Sequence, residues 1–150
     1  MTTVLAGDMI ARRLEDSVPD SVEDWNASDV WVKPQSILNV CRFLKEDSEL
    51  CFDYPISVSV VDYIEYFEMV YHLVSIKNNH SVVVKAKCWG REDVNLPSVT
   101  DVWKGVDFQE REIYDLMGIS FIGHPNLKRL LLWEGFPGHP QRKDYLELPR

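Results

Sequence analysis

Between Ile56 and Cys88 three segments of strand character follow one another with only short polar gaps. Ile56, Val58 and Val60 alternate with Ser57 and Ser59. Phe67–Ile76 is rich in aromatic and β-branched residues. Val82, Val84, Ala86 and Cys88 alternate with Val83, Lys85 and Lys87. Period-two alternation assigns one set of side chains to each face of a sheet. The gaps Asp62–Glu65 and Lys77–His80 are short enough for antiparallel hairpins. A block of strands flanked by helical patterns points to α+β architecture.

The flanks supply those helices. Thr2 or Thr3 is placed to cap a helix reaching about Asp16, with Leu5, Met9, Ile10 and Leu14 on one side. Pro19 marks a turn, and Val22–Trp25 and Val30–Val32 read as short strands around Asn26–Asp29. Pro34 suits the first position of a second helix. In it Ile37, Val40, Cys41 and Leu44 recur at i, i+3, i+4 and i+7. Leu96-Pro97-Ser98 opens a third helical region reaching Met117, interrupted at Gly105 and stopped by Gly118 as a left-handed cap. A strand at Ile119–Ile122, a turn at Gly123–Asn126 and an apolar run at Leu130–Trp133 follow. The expected fold is α+β in two layers: a mostly antiparallel or mixed sheet with helices on one face. Residues 1–133 form one domain, and residues 134–150 form an extended C-terminal arm rich in Pro and Gly.

Charge and cysteine usage exclude several functions. The chain of 150 residues carries a net charge of −8, which argues against a basic nucleic-acid footprint. The acidity belongs to residues 1–71, with 5 basic and 14 acidic side chains; residues 72–150 have 11 and 10. No apolar run approaches the roughly 18 residues of a membrane helix, and the first residues lack a signal-peptide pattern. Cys41, Cys51 and Cys88 form no CxxC pair and are too few for a cubane cluster. They suit a reducing compartment. Nucleotide and nucleophile motifs are missing from the sequence. His124 and His139, each followed by Pro, do not have zinc spacing and are expected to bond turn carbonyls.

The helix Val106–Met117 is unusual. At 100° per residue Val106, Ile113 and Met117 fall within about 40° of one another and Glu110 falls beside them, and a buried carboxylate is costly unless partnered. Its carboxylate either reaches water, pairs with an arginine of the same domain, or lies between the sheet and a partner subunit. Arg111 and Asp115 form an i, i+4 pair on the other side, beside Phe108. The arm offers Phe136 and Tyr145 as apolar anchors and Arg142, Lys143 and Asp144 as charged ones, either frayed or laid along a partner.

Glu110-Arg111-Glu112-Ile113-Tyr114-Asp115-Leu116-Met117-Gly118-Ile119 resembles the hallmark of the thirty-kilodalton-type subunit, or C-type subunit, of NADH–quinone oxidoreductase (complex I). The resemblance continues through Gly123-His124-Pro125, Leu127-Lys128-Arg129-Leu130, Gly138-His139-Pro140 and Arg142-Lys143-Asp144. Upstream, Val61-Asp62-Tyr63 and Phe67–Leu73 look like the family's central hairpin. The resemblance implies a non-catalytic structural subunit, with the isolated chain inactive and without metal, cofactor or small-molecule substrate of its own. It implies partners: the large quinone-site subunit (D type) and the terminal iron–sulfur subunit (B type). The parent complex is implied to use iron–sulfur clusters, a quinone, and NADH with FMN or another donor. The place implied is the cytoplasmic face of the membrane, peripheral, held through the complex. Glu110, Arg111, Glu112, Tyr114, Asp115, His124, Lys128, Arg129, His139, Arg142, Lys143 and Asp144 are implied to form the partner interface. Arg129, Arg142 and Lys143 are expected to pair with carboxylates of the large subunit. The end at Arg150, soon after the Arg-Lys-Asp block, favours a separate prokaryotic or plastid-type subunit. Alternatives are the equivalent subunit of a ferredoxin-linked complex or membrane-bound hydrogenase, and a free-standing hydrolase built on Glu110, His124, His139 and Asp144.

Overall fold

The structure, a computed structural model, describes residues 1–147. The elements in chain order are β1 (Thr3–Val4), α1 (Gly7–Ser17), β2 (Val22–Trp25), β3 (Asp29–Val32), α2 (Ile37–Glu46), β4 (Tyr54–Asp62), β5 (Tyr66–Ser75), β6 (His80–Trp89), β7 (Asn95–Pro97), α3 (Asp107–Met117) and β8 (Ser120–Ile122). Pro34–Ser36 and Lys104–Val106 are single 3-10 turns leading into α2 and α3.

The main sheet runs β2-β3-β6-β5-β4, with β1 added beside β6. The β4–β5 and β5–β6 hairpins are antiparallel, while β1 and β3 both meet β6 in parallel. The fold is therefore α+β with a mixed sheet. The alternation read from the sequence decides its faces. Val82, Val84 and Ala86 of β6, and Phe67, Met69, Tyr71 and Leu73 of β5, are buried. They share one core with Ile10 and Leu14 of α1 and with Ile37, Val40, Cys41 and Leu44 of α2. All four α2 stripe residues are buried, as the 3.6-residue period requires. On the opposite face, Lys85 sits 2.9 Å from Asp29 and over the Trp31 ring, whose Nε1 donates to Glu68. That face satisfies its own polar groups.

Three local expectations are corrected. Thr3 and Val4 are strand, not cap; their β-branched side chains suit the edge of β6. The helix begins at Gly7, whose N–H donates to Ala27 O at 3.2 Å. A Cβ there would collide with Asn26 O, so only glycine fits this approach. The third helical region opens about ten residues late. Asn95–Pro97 is instead a strand paired in parallel with Ser120–Ile122, and Gly105 lies inside a 3-10 turn without interrupting a helix. In β4 a bulge between Pro55 and Ser57 turns Ile56 outward, so only Val58 and Val60 of the expected apolar set face the core.

Candidate functional site

The motif residues gather around α3 and the chain that follows it. Gly118 ends the helix at φ 72°, as expected. A Cβ there would meet His139 Cδ2 at 2.5 Å, so the left-handed turn and the close approach of the arm both require glycine.

Asp115 organises the carboxyl end. Its side chain is wholly buried. One oxygen, Oδ2, accepts three consecutive backbone N–H groups, from Leu130 (3.1 Å), Leu131 (2.7 Å) and Leu132 (2.9 Å). The other accepts from Arg129 Nη1 at 2.9 Å. These donors outweigh burial and hold the carboxyl below its usual range, at about 2. The same Arg129 guanidinium donates to the carbonyls of Asp115, Phe136 and Gly138. Arg111 donates to the carbonyls of Lys128 and Arg129. The expected Arg111–Asp115 pair does not form, because each has better partners in residues 128–132.

The arm closes over the helix end. Gln141 N–H donates to Leu116 O. Arg142 donates to Met117 O at 2.5 Å, Gly118 O at 3.3 Å and Arg91 O at 2.9 Å, and stacks on Phe67. A guanidinium on the last carbonyls of a helix also meets the negative end of its dipole. His139 Nδ1 lies 2.9 Å from Asp115 O. Asp144 pairs with Arg91, which grips Asp62 at the hairpin tip with both terminal nitrogens; Lys143 N–H donates to the same Asp62. The Arg91 guanidinium holds the Asp62 carboxyl well below the usual carboxylate range. The arm is therefore docked on the rest of the chain as far as Asp144, and residues 148–150 lie outside the described residues.

Glu110, at the other end of α3, is also wholly buried. It neither reaches water nor meets an arginine. Its carboxylate accepts from Ser98 Oγ at 2.6 Å and from Val99 N–H at 2.9 Å. His124 Nε2 lies 3.9 Å from it and 2.9 Å from Asp107 Oδ1. The histidines meet carbonyls of α3 rather than the expected turn carbonyls: His124 Nε2 is 3.3 Å from Asp107 O and His139 Nδ1 2.9 Å from Asp115 O, while His124 Nδ1 accepts Asn126 N–H at 3.0 Å within its turn.

The expected interface list divides accordingly. Glu110, Arg111 and Asp115 are buried inside the chain and build the surface from beneath. Arg129 and Arg142, expected to pair with carboxylates of the large subunit, both have hydrogen-bond partners within this chain. Glu112, Lys128, Lys143 and Asp144 are exposed, while Tyr114, His124, Arg129, His139 and Arg142 are half-buried. No salt bridge forms at the Lys128 or Lys143 ammonium among the described residues.

What the residue pattern did not mark is an apolar ridge. Phe108, Leu131 and Trp133 are each more than 60 % exposed. Two of them join stacked groups: Arg111 lies over Phe108, while Arg129 lies over Phe136, which is edge-on to Trp133. The exposed placement of Phe108 was the one available signal, on the helix side opposite Ile113. A surface cavity of about 570 Å³ between Lys45, Tyr54, Trp103 and Gln109 contains none of the motif residues. Burial pushes the Cys41 thiol up and takes Cys88 to about 11, the opposite of what a thiolate ligand needs. No set of three metal-ligating side chains converges, and no helix is long and apolar enough to cross a membrane, among the described residues.

Comparison with known proteins assigns this architecture. The family described as "Respiratory-chain NADH dehydrogenase, 30 Kd subunit" matches residues 30–148. The second C-type subunit of NADH-quinone oxidoreductase from Rhizobium meliloti (strain 1021) is 46% identical over 117 residues, covering 76% of this chain and 63% of that relative's length. The C-type subunit of NADH-quinone oxidoreductase from Roseiflexus sp. (strain RS-1) is 38% identical over 142 residues, covering 90% of this chain and 81% of the relative. A solved chain of the membrane-bound sulfane sulfur reductase, an archaeal respiratory membrane complex, shares the fold with a TM-score of 0.75 at 21% identity, covering 94% of this chain and 86% of that one. The chain belongs to the family of the 30 Kd subunit of the respiratory-chain NADH dehydrogenase.

Proposed function

We propose that this chain is a structural and assembly subunit of the hydrophilic arm of a proton-translocating NADH–quinone oxidoreductase. It joins the quinone-site subunit to the terminal iron–sulfur subunit on the cytoplasmic face of the membrane, held there through the complex. The clusters, the quinone and the NADH-oxidising module reside in other subunits. The observation that carries this reading is the exposed set Phe108, Leu131 and Trp133, set on the hydrogen-bonded framework of Arg111, Asp115 and Arg129 in the family motif. Exposed aromatic residues beside arginines are what anchors of protein interfaces are made of. The ammonium groups of Lys128 and Lys143, which form no salt bridge among the described residues, supply charge for the rim, where it steers association and sets register.

Affinity capture of the tagged full chain from native membranes, with the captured proteins identified by mass, tests this. The wild-type chain is expected to bring down the quinone-site and iron–sulfur subunits. The triple variant Phe108→Ala, Leu131→Ala, Trp133→Ala is expected to lose them while its melting temperature stays within a few degrees, since exposed side chains contribute little to stability. Undiminished capture by the triple variant overturns the ridge as the docking surface.

A further inference from the structure

Glu110 sits in the core with no lysine or arginine paired to it among the described residues. Apart from the His124 ring, the groups facing it are hydroxyls, a backbone N–H, a thiol and one further carboxylate. Ser98, Val99 and Thr100 come from the loop after β7, and His124 from the turn after β8. Asp107 lies one turn earlier on α3; Cys41 and Tyr71 reach toward it from α2 and β5. Tyr71 Oη is itself buried without a hydrogen-bond partner. Asn126 N–H donates to His124 Nδ1, which leaves Nε2 as the ring nitrogen that faces Asp107 and Glu110.

The hydrogen-bond chain around Glu110 fits either protonation state. With the carboxylate charged, Ser98 Oγ donates to Oε2 at 2.6 Å and Val99 N–H to Oε1 at 2.9 Å. With a proton on Oε2, the direction reverses. Glu110 donates to Ser98 Oγ, and Ser98 turns its hydrogen to Thr100 Oγ1, 2.8 Å away. Oε1 keeps the Val99 N–H, and Thr100 N–H still donates to Ser98 Oγ at 3.2 Å. Only hydroxyl hydrogens rotate. The neutral form therefore keeps every bond at no electrostatic cost, while the charged form can keep them only with an unpaired buried charge, a cost that opening the loop to water removes.

We propose that Glu110 is a proton-held latch: neutral, it fastens the Ser98–Thr100 loop onto the start of α3, and its ionisation releases that loop. Burial accordingly raises the Glu110 carboxyl above its ordinary value. A group raised in the folded state stabilises fully below its unfolded value and loses that contribution as pH rises through the folded one. The loop thus opens toward the alkaline side.

Amide hydrogen exchange at Val99 and Thr100 in the full chain, between about pH 5 and pH 9, reads the latch directly. The ratio of wild type to Glu110→Gln at each pH cancels the intrinsic dependence of exchange on pH. The carboxamide supplies the same acceptor to Val99 and a donor to Ser98, without charge. The ratio is expected to rise with pH, about tenfold for each unit by which the folded carboxyl titrates above its ordinary value. Glu112→Gln, an exposed acid on the same helix, is expected to retain the wild-type profile. A ratio constant across the series overturns the proposal. If Glu110→Gln does not fold, the 13C carboxyl titration of Glu110 in the wild type decides: a midpoint above the ordinary glutamate value supports the latch, and one at or below it overturns it.

Discussion

The two ends of α3 hold wholly buried carboxylates in opposite ways. Asp115 receives a guanidinium and three backbone N–H groups, and its carboxyl is driven down to about 2. Glu110 receives one hydroxyl and one N–H, and burial drives its carboxyl up. Neither side chain meets solvent, but Glu110 lies deeper in the core than Asp115, and it has fewer donors and no cation. The charge of a buried acid thus follows from its depth and from what the chain aims at it. One end of the helix is an ionic clamp that fastens the arm, and the other is a neutral joint.

Removing the clamp is the most severe way to break that contrast. Asp115→Ala leaves the Arg129 guanidinium and three N–H groups without their acceptor, a loss expected at about 3–5 kcal/mol. Urea unfolding at neutral pH measures it, and a loss under about 1 kcal/mol would show that water replaces the carboxylate. Titration sharpens the contrast without mutation. A carboxyl lowered in the folded state stabilises above its unfolded value and loses that contribution as pH falls. Asp115 is therefore expected to supply about 2 kcal/mol at neutral pH that disappears between about pH 4 and pH 2. Unfolding of wild type and Asp115→Asn across that window is expected to converge at the acid end; parallel curves would refute the ionic clamp. The smallest effect belongs to the arm. Arg142→Ala removes three helix and loop contacts, and is expected to cost about 1–2 kcal/mol and to speed proteolytic cleavage within residues 138–147. Unchanged cleavage would show that Gln141 and Lys143 suffice.

Legibility in the sequence followed the range of the interaction. The α2 stripe, the alternation of β6 and the Gly118 cap depend on neighbours a few residues away, and all three were readable. The strand at Asn95–Pro97 was not, because its partner is Ser120–Ile122 and the helical pattern around Gly105 hides it. Periodicity put Glu110 on the apolar face but could not supply Ser98 and Val99 as its donors. Arg111 and Asp115 sat at helical pairing distance and still chose partners from residues 128–132, since three N–H groups and a guanidinium outbid a surface-type pair worth tenths of a kcal/mol. The arm's anchors were legible as anchors; that they hold the same chain was not.

The central position of β6 carries a consequence for synthesis. β1 and β3 pair with nothing but β6 and the short β2, and β5 lies on its other side. While the ribosome has not yet released residues 80–89, the inner edge of β3 stays bare and α1 and α2 have only part of their core. Sheet closure waits for that strand, and the helix clamp waits longer still, for Arg129 and Arg142. Such long-range closure slows folding. It leaves a nascent stretch of β-branched edge that a chaperone, or a second unfinished chain, is the first to meet.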